Sequence, residues 1–493
     1  MKNYSKTLLT EINRIPQKAS IVVGQEVISR PEQGVGINIT LDHQAGGSYP
    51  ESDQGWQQVL DNLSWLSPNW LCITLPVEEL INVDGSVNRE AAVLERFSYF
   101  CRWAEEREAD IVLMFPKSVP SWLRFKGLSS HSPAPADLDI YAGIICNALG
   151  YFVQELGYNR LKYLTIFGEP FNQDGEDFTF ATPGSIDPYL YYVKMHQVVG
   201  EALDSKGLAN VGLMGLNSAD VYAHMETLER MKERKADLSS YIAAIDLHSY
   251  RMRFDYLPPS HHIPTCTMTE YVNDYLQPAI MSAKARDKPC FITELGCMYY
   301  GKSNYGDNRG PSRHEAFIAE AELILHGLNL GMDGFLKWVY MFNTEESRGH
   351  YHLLEQAKSN YDQKDNYYGY AALCRHLPKG AGVLKTEITT EASSLCVAAI
   401  EDGKSGSSIF LVNDHPANMF DVEISLDGLA GNRFFRKFVV DYWDKYSDKG
   451  TIKATDGTIS TRITPLSLTV LACCSEDDYE GYILRGSPKE QSL

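Results

Sequence analysis

From residue 35 to residue 340 the chain repeats one unit, a short apolar and β-branched run followed by a longer stretch whose apolar residues fall three and four apart. Eight such runs can be counted: Val35–Thr40, Leu71–Leu75, Ile111–Phe115, Tyr163–Phe167, Val211–Leu216, Ala244–His248, Cys290–Thr293 and Gly334–Val339. Between them lie stretches of helical periodicity such as Arg89–Glu108, Tyr189–Leu203 and Arg313–Leu328. This is the alternation of βα units, and eight of them suit a closed parallel barrel. The expected fold class is therefore α/β, a (β/α)8 barrel spanning residues 35–379.

Beyond residue 380 the pattern changes to short alternating strands separated by turn residues. The candidates are Ser394–Ile400, Ser407–Asn413, Phe420–Leu426, Phe438–Trp443, Thr451–Ala454 and Leu466–Cys473, with turns at Asp402-Gly403, Asp427-Gly428 and Asp456-Gly457. They read as an appended antiparallel β-sandwich over residues 380–475, followed by a polar tail, 476–493. The N-terminal segment 1–34 contains Ile21-Val22-Val23-Gly24-Gln25-Glu26-Val27-Ile28, which has hairpin character. It can cap the barrel floor or pair with the sandwich, and pattern alone leaves both open.

With 44% hydrophobic and 22% charged residues, the 493-residue chain is ordinary globular material. Its net charge of −19 disfavours nucleic acid and anionic membrane surfaces as partners, and a neutral substrate fits better. No stretch approaches the roughly 20 apolar residues of a membrane span. The first ten residues lack an apolar run long enough for a signal-peptide core, and the ten cysteines are scattered without paired zinc spacing. Reduced core thiols and a cytoplasmic location are the expectation. No Gly-x-Gly-x-x-Gly joins a strand to a helix and no Gly-Lys-Ser/Thr ends one, so no nucleotide cofactor is expected.

In a barrel of this kind chemistry sits where the strands end. The fourth run ends Phe167-Gly168-Glu169-Pro170 and the seventh ends Thr293-Glu294-Leu295-Gly296, placing a carboxylate at the pocket rim in each case. Strands four and seven face each other across eight. Retaining glycoside hydrolysis needs such a pair about 5–5.5 Å apart, one to protonate the leaving oxygen and one to attack. Either glutamate alone could equally be a salt-bridge partner; both together, on these two strands, favour chemistry.

On these residues the barrel resembles glycoside hydrolase clan A, whose acid/base follows strand four and whose nucleophile follows strand seven. The resemblance implies Glu169 as acid/base and Glu294 as nucleophile. Trp338, in Leu336-Lys337-Trp338-Val339-Tyr340, then takes the place of an aromatic floor under the sugar. His248-Ser249-Tyr250 is similar to a His-x-Tyr whose tyrosine bonds the nucleophile. Pro116-Lys117-Ser118-Val119-Pro120-Ser121-Trp122, the junction Tyr367 to Ala381, and the closing strand Pro465 to Leu471 resemble families of the clan that carry a β-sandwich. One position departs: most members have asparagine before the acid/base, touching the sugar 2-hydroxyl, where this chain has Gly168. Asn172 and Asn217 are candidate substitutes.

The remaining candidates carry two readings each. Trp122 is a pocket wall or a loop anchor, and His43, after the first strand, is a substrate contact or a surface histidine. His261-His262 and His350-x-His352 lie in loops without a strand-end His-x-His, so no catalytic metal is expected. The 29 tyrosines, clustered at Tyr299-Tyr300, Tyr305 and Tyr367-Tyr368, suit a carbohydrate surface but also core packing. The expected activity is retaining O-glycoside hydrolysis with a carbohydrate substrate. A metal-dependent barrel hydrolase and a carbohydrate-binding barrel without turnover are the alternatives.

Overall fold

The computed structural model describes residues 13–41, 49–50, 52–115, 119–128, 133–171, 180–250, 267–297, 312–342, 351–354, 361–402, 406–427 and 433–474. Eight parallel strands close a barrel: β2 (Gly34–Thr40), β3 (Trp70–Thr74), β4 (Asp110–Met114), β5 (Leu161–Thr165), β6 (Gly212–Ser218), β7 (Ala244–Ser249), β8 (Cys290–Leu295) and β9 (Gly334–Lys337), with β9 pairing back to β2. The eight sequence runs match these strands one for one, no end shifting by more than two residues.

Strand alternation divides the side chains between two environments. Leu71, Ile73, Ile111 and Leu113 face outward and pack with helix residues such as Phe97, Phe100 and Leu149. Trp70, Cys72, Val112, Met114, Tyr163, Met214, Phe291 and Leu336 face inward and fill the lower barrel. Gly36 is a glycine for a steric reason, since a Cβ there would lie 2.2 Å from the Trp70 carbonyl oxygen. Toward the strand C-termini the interior turns polar, with Asn38, Thr40, Thr74, Thr165, Asp246, His248, Thr293 and Glu294 all buried. This is the end at which barrels of this kind carry their chemistry.

The second sheet has nine strands in the order β15-β14-β17-β12-β11-β10-β1-β13-β16. Its members are β1 (Asn13–Ser29), β10 (Gly382–Ile388), β11 (Leu395–Asp402), β12 (Gly406–Asn413), β13 (Asn418–Leu426), β14 (Arg433–Val440), β15 (Ser447–Ala454), β16 (Thr458–Ile463) and β17 (Ser467–Cys474). Ile21, Val23, Val422, Ile424 and Ile459 from one wing share a core with Val397, Ala399, Ile409, Leu411 and Leu471 from the other, the layering of a sandwich. The alternate residues Cys396, Ala398, Ile400, Phe410 and Val470 join the barrel's own cluster, so the central strands are buried on both faces.

Three expectations are corrected here. Residues 13–29 form no hairpin but one 17-residue strand, parallel to β13 and antiparallel to β10, which threads the N-terminus into the second sheet. The strands Gly382–Ile388 and Thr458–Ile463 escape the pattern because solvent-facing residues interrupt them, Lys385 and Glu387 in the first and Ser460 in the second. The run expected to reach Trp443 leaves the sheet at Val440, because the Asp441 carboxylate accepts the Trp443 and Asp444 N–H groups, each at 2.9 Å, and turns the chain. Among the described residues no helix is long and apolar enough to cross a membrane.

Candidate active site

Glu294 is the penultimate residue of β8, and His248 stands opposite it in register on β7, so both project into the barrel mouth from adjacent strands. Glu169 follows β5 by four residues and enters from the other side. The imidazole lies between the two carboxylates, its Nδ1 3.0 Å from Glu169 Oε1 and 3.3 Å from Glu294 Oε2. One ligating atom from each of the three groups falls within 4.8 Å of the others. The Tyr250 hydroxyl donates a short hydrogen bond to Glu294 Oε2, and its ring meets Tyr351 edge-on at 5.8 Å.

The charges here bias protonation in a definite direction. Burial alone would push the His248 imidazole toward neutrality, but the Glu294, Glu169 and Asp246 carboxylates around it outweigh burial and raise its pKa above the ordinary value. Burial, together with the charge of Glu294 and the hydrogen bond to it, holds the Tyr250 phenol well above its usual range. Tyr250 therefore remains a proton donor to Glu294 at any working pH. Glu294 is 8% exposed and Glu169 is half-buried, so solvent reaches the second more readily than the first.

Trp338 joins the site through its backbone: its N–H donates to the Leu295 carbonyl at 2.9 Å, one residue past Glu294. Its side chain is partly exposed at the end of β9, and the Trp338–Val339 peptide is cis. Trp122 lies in a short turn, Ser121–Leu123, and packs against the cluster between strands and helices, which makes it an anchor for that turn. His43, Asn172, His261, His262 and His350 lie outside the described residues. Tyr367 is not a surface phenol: it is wholly buried in the helix Asp365–His376 and donates to the Asn62 carbonyl at 2.6 Å.

Asn217 is the clearest correction. Expected to contact substrate, it is fully buried and its amide is spent on the protein: Oδ1 accepts the Glu169 N–H at 2.8 Å and Nδ2 donates to Asp246 Oδ2 at 2.7 Å. Asp246 also accepts the Asn217 N–H at 2.8 Å and the Thr165 hydroxyl at 3.1 Å. Burial raises the Asp246 pKa despite these donors. Asp246, Thr165 and Tyr351 are site residues that the sequence motifs do not mark. The signal for Asp246 was available, as it sits two residues before His248 and so faces the same interior.

The fold has solved counterparts. A glycoside hydrolase family 30 subfamily 8 xylanase from Clostridium acetobutylicum superposes with a TM-score of 0.65 at 13% identity, over 92% of this chain and 100% of that one. An α-L-arabinofuranosidase from Thermotoga maritima gives 0.61 at 14%, over 92% and 99%. The GH39 enzyme from Xanthomonas axonopodis pv. citri gives 0.58 at 11%, over 96% and 99%. At these identities the likeness is one of fold, a barrel with a second sheet. No protein-family model matches the sequence, and no curated protein does.

Proposed function

We propose that this protein is a retaining glycoside hydrolase acting on a carbohydrate substrate. The observation that carries the reading is the approach of the Glu169 and Glu294 carboxyl oxygens to within 4.8 Å at the mouth of the barrel. That spacing suits a direct attack on the anomeric carbon, whereas inverting enzymes separate the pair by about 6.5–9.5 Å to admit a water. The fold shared with a xylanase, an arabinofuranosidase and a GH39 enzyme supports the same class.

On this reading Glu294 attacks the anomeric carbon and forms a glycosyl ester while Glu169 delivers its proton to the departing oxygen. Glu169 then takes a proton from water, which displaces the sugar from Glu294. Tyr250 directs the attacking carboxylate and stabilises its charge. His248, in contact with both carboxylates and biased by them toward its charged form, offsets the repulsion between them. Trp338, at the end of β9, offers an aromatic face to the ring.

Incubation with a 2-deoxy-2-fluoro glycoside followed by peptide mass spectrometry should place a covalent sugar on Glu294, and Glu169→Gln should lose hydrolysis of poor leaving groups. Label on another residue, or none with any sugar of a broad panel, would sink the assignment. The Glu169, His248 and Glu294 cluster also offers three ligands to a cation. A metal-dependent hydrolase would lose activity in a chelator and regain it with a divalent ion, whereas the displacement mechanism is indifferent to both.

A further inference from the structure

Asn217 does no chemistry in the scheme above, yet it is bonded to a glutamate held in a conformation that glutamate, unlike asparagine, adopts only at a cost. The φ of Asn217 is +48°, and that of Glu169, the residue it bonds, is +45°. Each lies in the left-handed region, which persists for a residue such as glutamate only where the surroundings over-determine it. Here they do. A carboxylate is an acceptor only, so Asp246 requires the amide nitrogen of Asn217 on its side and thereby turns the amide oxygen toward the Glu169 N–H. The Asn217 backbone N–H, bonded to the other Asp246 oxygen, fixes the second end of the same residue.

Strand β7 thus holds Glu169 at two points. His248 contacts its carboxylate at 3.0 Å, and Asp246, two residues earlier on the same face, holds its backbone through Asn217. Thr165, the last residue of the strand that leads to Glu169, is tied to the same Asp246 oxygen as the Asn217 amide. The ends of β5, β6 and β7 are therefore cross-linked around one buried carboxylate, and the direction of Glu169 is an output of that link.

We propose that Asn217 is a positioning residue: clamped by Asp246, it holds the Glu169 backbone in the left-handed conformation that aims the carboxyl at the leaving oxygen. The proposal rests on the reading of Glu169 as acid/base.

The test is Asn217→Gly, which accepts φ near +48° without strain and keeps the backbone N–H to Asp246 while removing the amide. Values of kcat/KM are measured on a phenyl glycoside, whose departure needs the proton, and on the matching 2,4-dinitrophenyl glycoside, which leaves without it. Loss of positioned acid catalysis predicts roughly a 10²-fold fall for the phenyl substrate, with the dinitrophenyl substrate nearly unaffected. Asn217→Asp serves as a second variant: when protonated it restores both contacts, so its phenyl-substrate activity should recover as pH falls. An equal loss on both substrates, or no loss, overturns the proposal and leaves the glycosidase reading standing.

A readout independent of turnover separates the two. The His248 titration is followed by NMR in wild type and Asn217→Gly, because withdrawal of the Glu169 carboxylate lowers the imidazole pKa. If the wild type cleaves no glycoside yet the His248 pKa falls in the variant, the hold on Glu169 stands and the glycosidase reading fails. An unchanged His248 titration overturns the hold itself.

Discussion

Consider Tyr250→Phe, which deletes a single oxygen beside Glu294. The phenol donates to Glu294 Oε2, and a hydrogen bond to a charged acceptor contributes about 1.5–3 kcal/mol. At 1.36 kcal/mol per decade this range corresponds to about 10- to 150-fold. The structure favours its lower half, because the same oxygen keeps His248 Nδ1 at 3.3 Å. The ring itself should stay: it meets Tyr351 at 5.8 Å, stands near His248 at 6.2 Å, and lies against the backbone of Gly296. A fall of about 10- to 50-fold in kcat/KM is therefore expected, with the packing of the ring retained. The pH profile supplies the direction. A donated hydrogen bond favours the ionised carboxylate, so its removal should move the acid limb of kcat/KM to higher pH, while the limb reporting the proton donor stays in place. Steady-state kinetics across pH with an aryl glycoside reads both effects. An unshifted acid limb with unchanged kcat/KM would refute the claim that Tyr250 acts on the nucleophile.

Other perturbations test the surrounding frame. Lys337 is wholly buried and bonds both Glu320 oxygens at 2.7 and 2.9 Å, tying β9 to the helix Arg313–Leu330; Lys337→Met should cost about 3–5 kcal/mol by chemical denaturation, and Lys337→Met with Glu320→Leu markedly less. Burial depresses the His376 pKa to about 3. A depressed folded-state value means stability is lost as pH falls below the unfolded value near 6.5, by about 2 kcal/mol at pH 5, so the acid limb of urea unfolding should flatten in His376→Gln. Trp338→Ala should raise KM for short glycosides more than it lowers kcat, since the side chain offers surface and no proton; equal effects would place it in the chemistry instead.

The barrel was legible because its signal is local. A strand buried on both faces and a helix with one buried stripe leave different periodicities, and eight alternations of the two leave little choice of fold. Glu169 and Glu294 were legible for the same reason, as each lies within four residues of the end of its strand. The His-x-Tyr of β7 was legible too, since His248 and Tyr250 lie on the face of the strand that meets Glu294. The strands Gly382–Ile388 and Thr458–Ile463, interrupted by solvent-facing residues, and the long first strand were not. Periodicity reports which face of a strand is buried and is silent on which strand it pairs with.

Asn217 marks the boundary between the two kinds of knowledge. In the sequence it is an asparagine just past a strand, as good a sugar contact as any. In the structure it is the middle of a bridge from Asp246 to Glu169, residues 29 and 48 positions away along the chain. The sequence alone determined the barrel and the place of Glu169 and Glu294 at its strand ends, because both follow from patterns within a few residues. Only the tertiary structure decided the protonation environment and the support of Glu169, because hydrogen bonds between distant strands depend on distances that no local pattern contains.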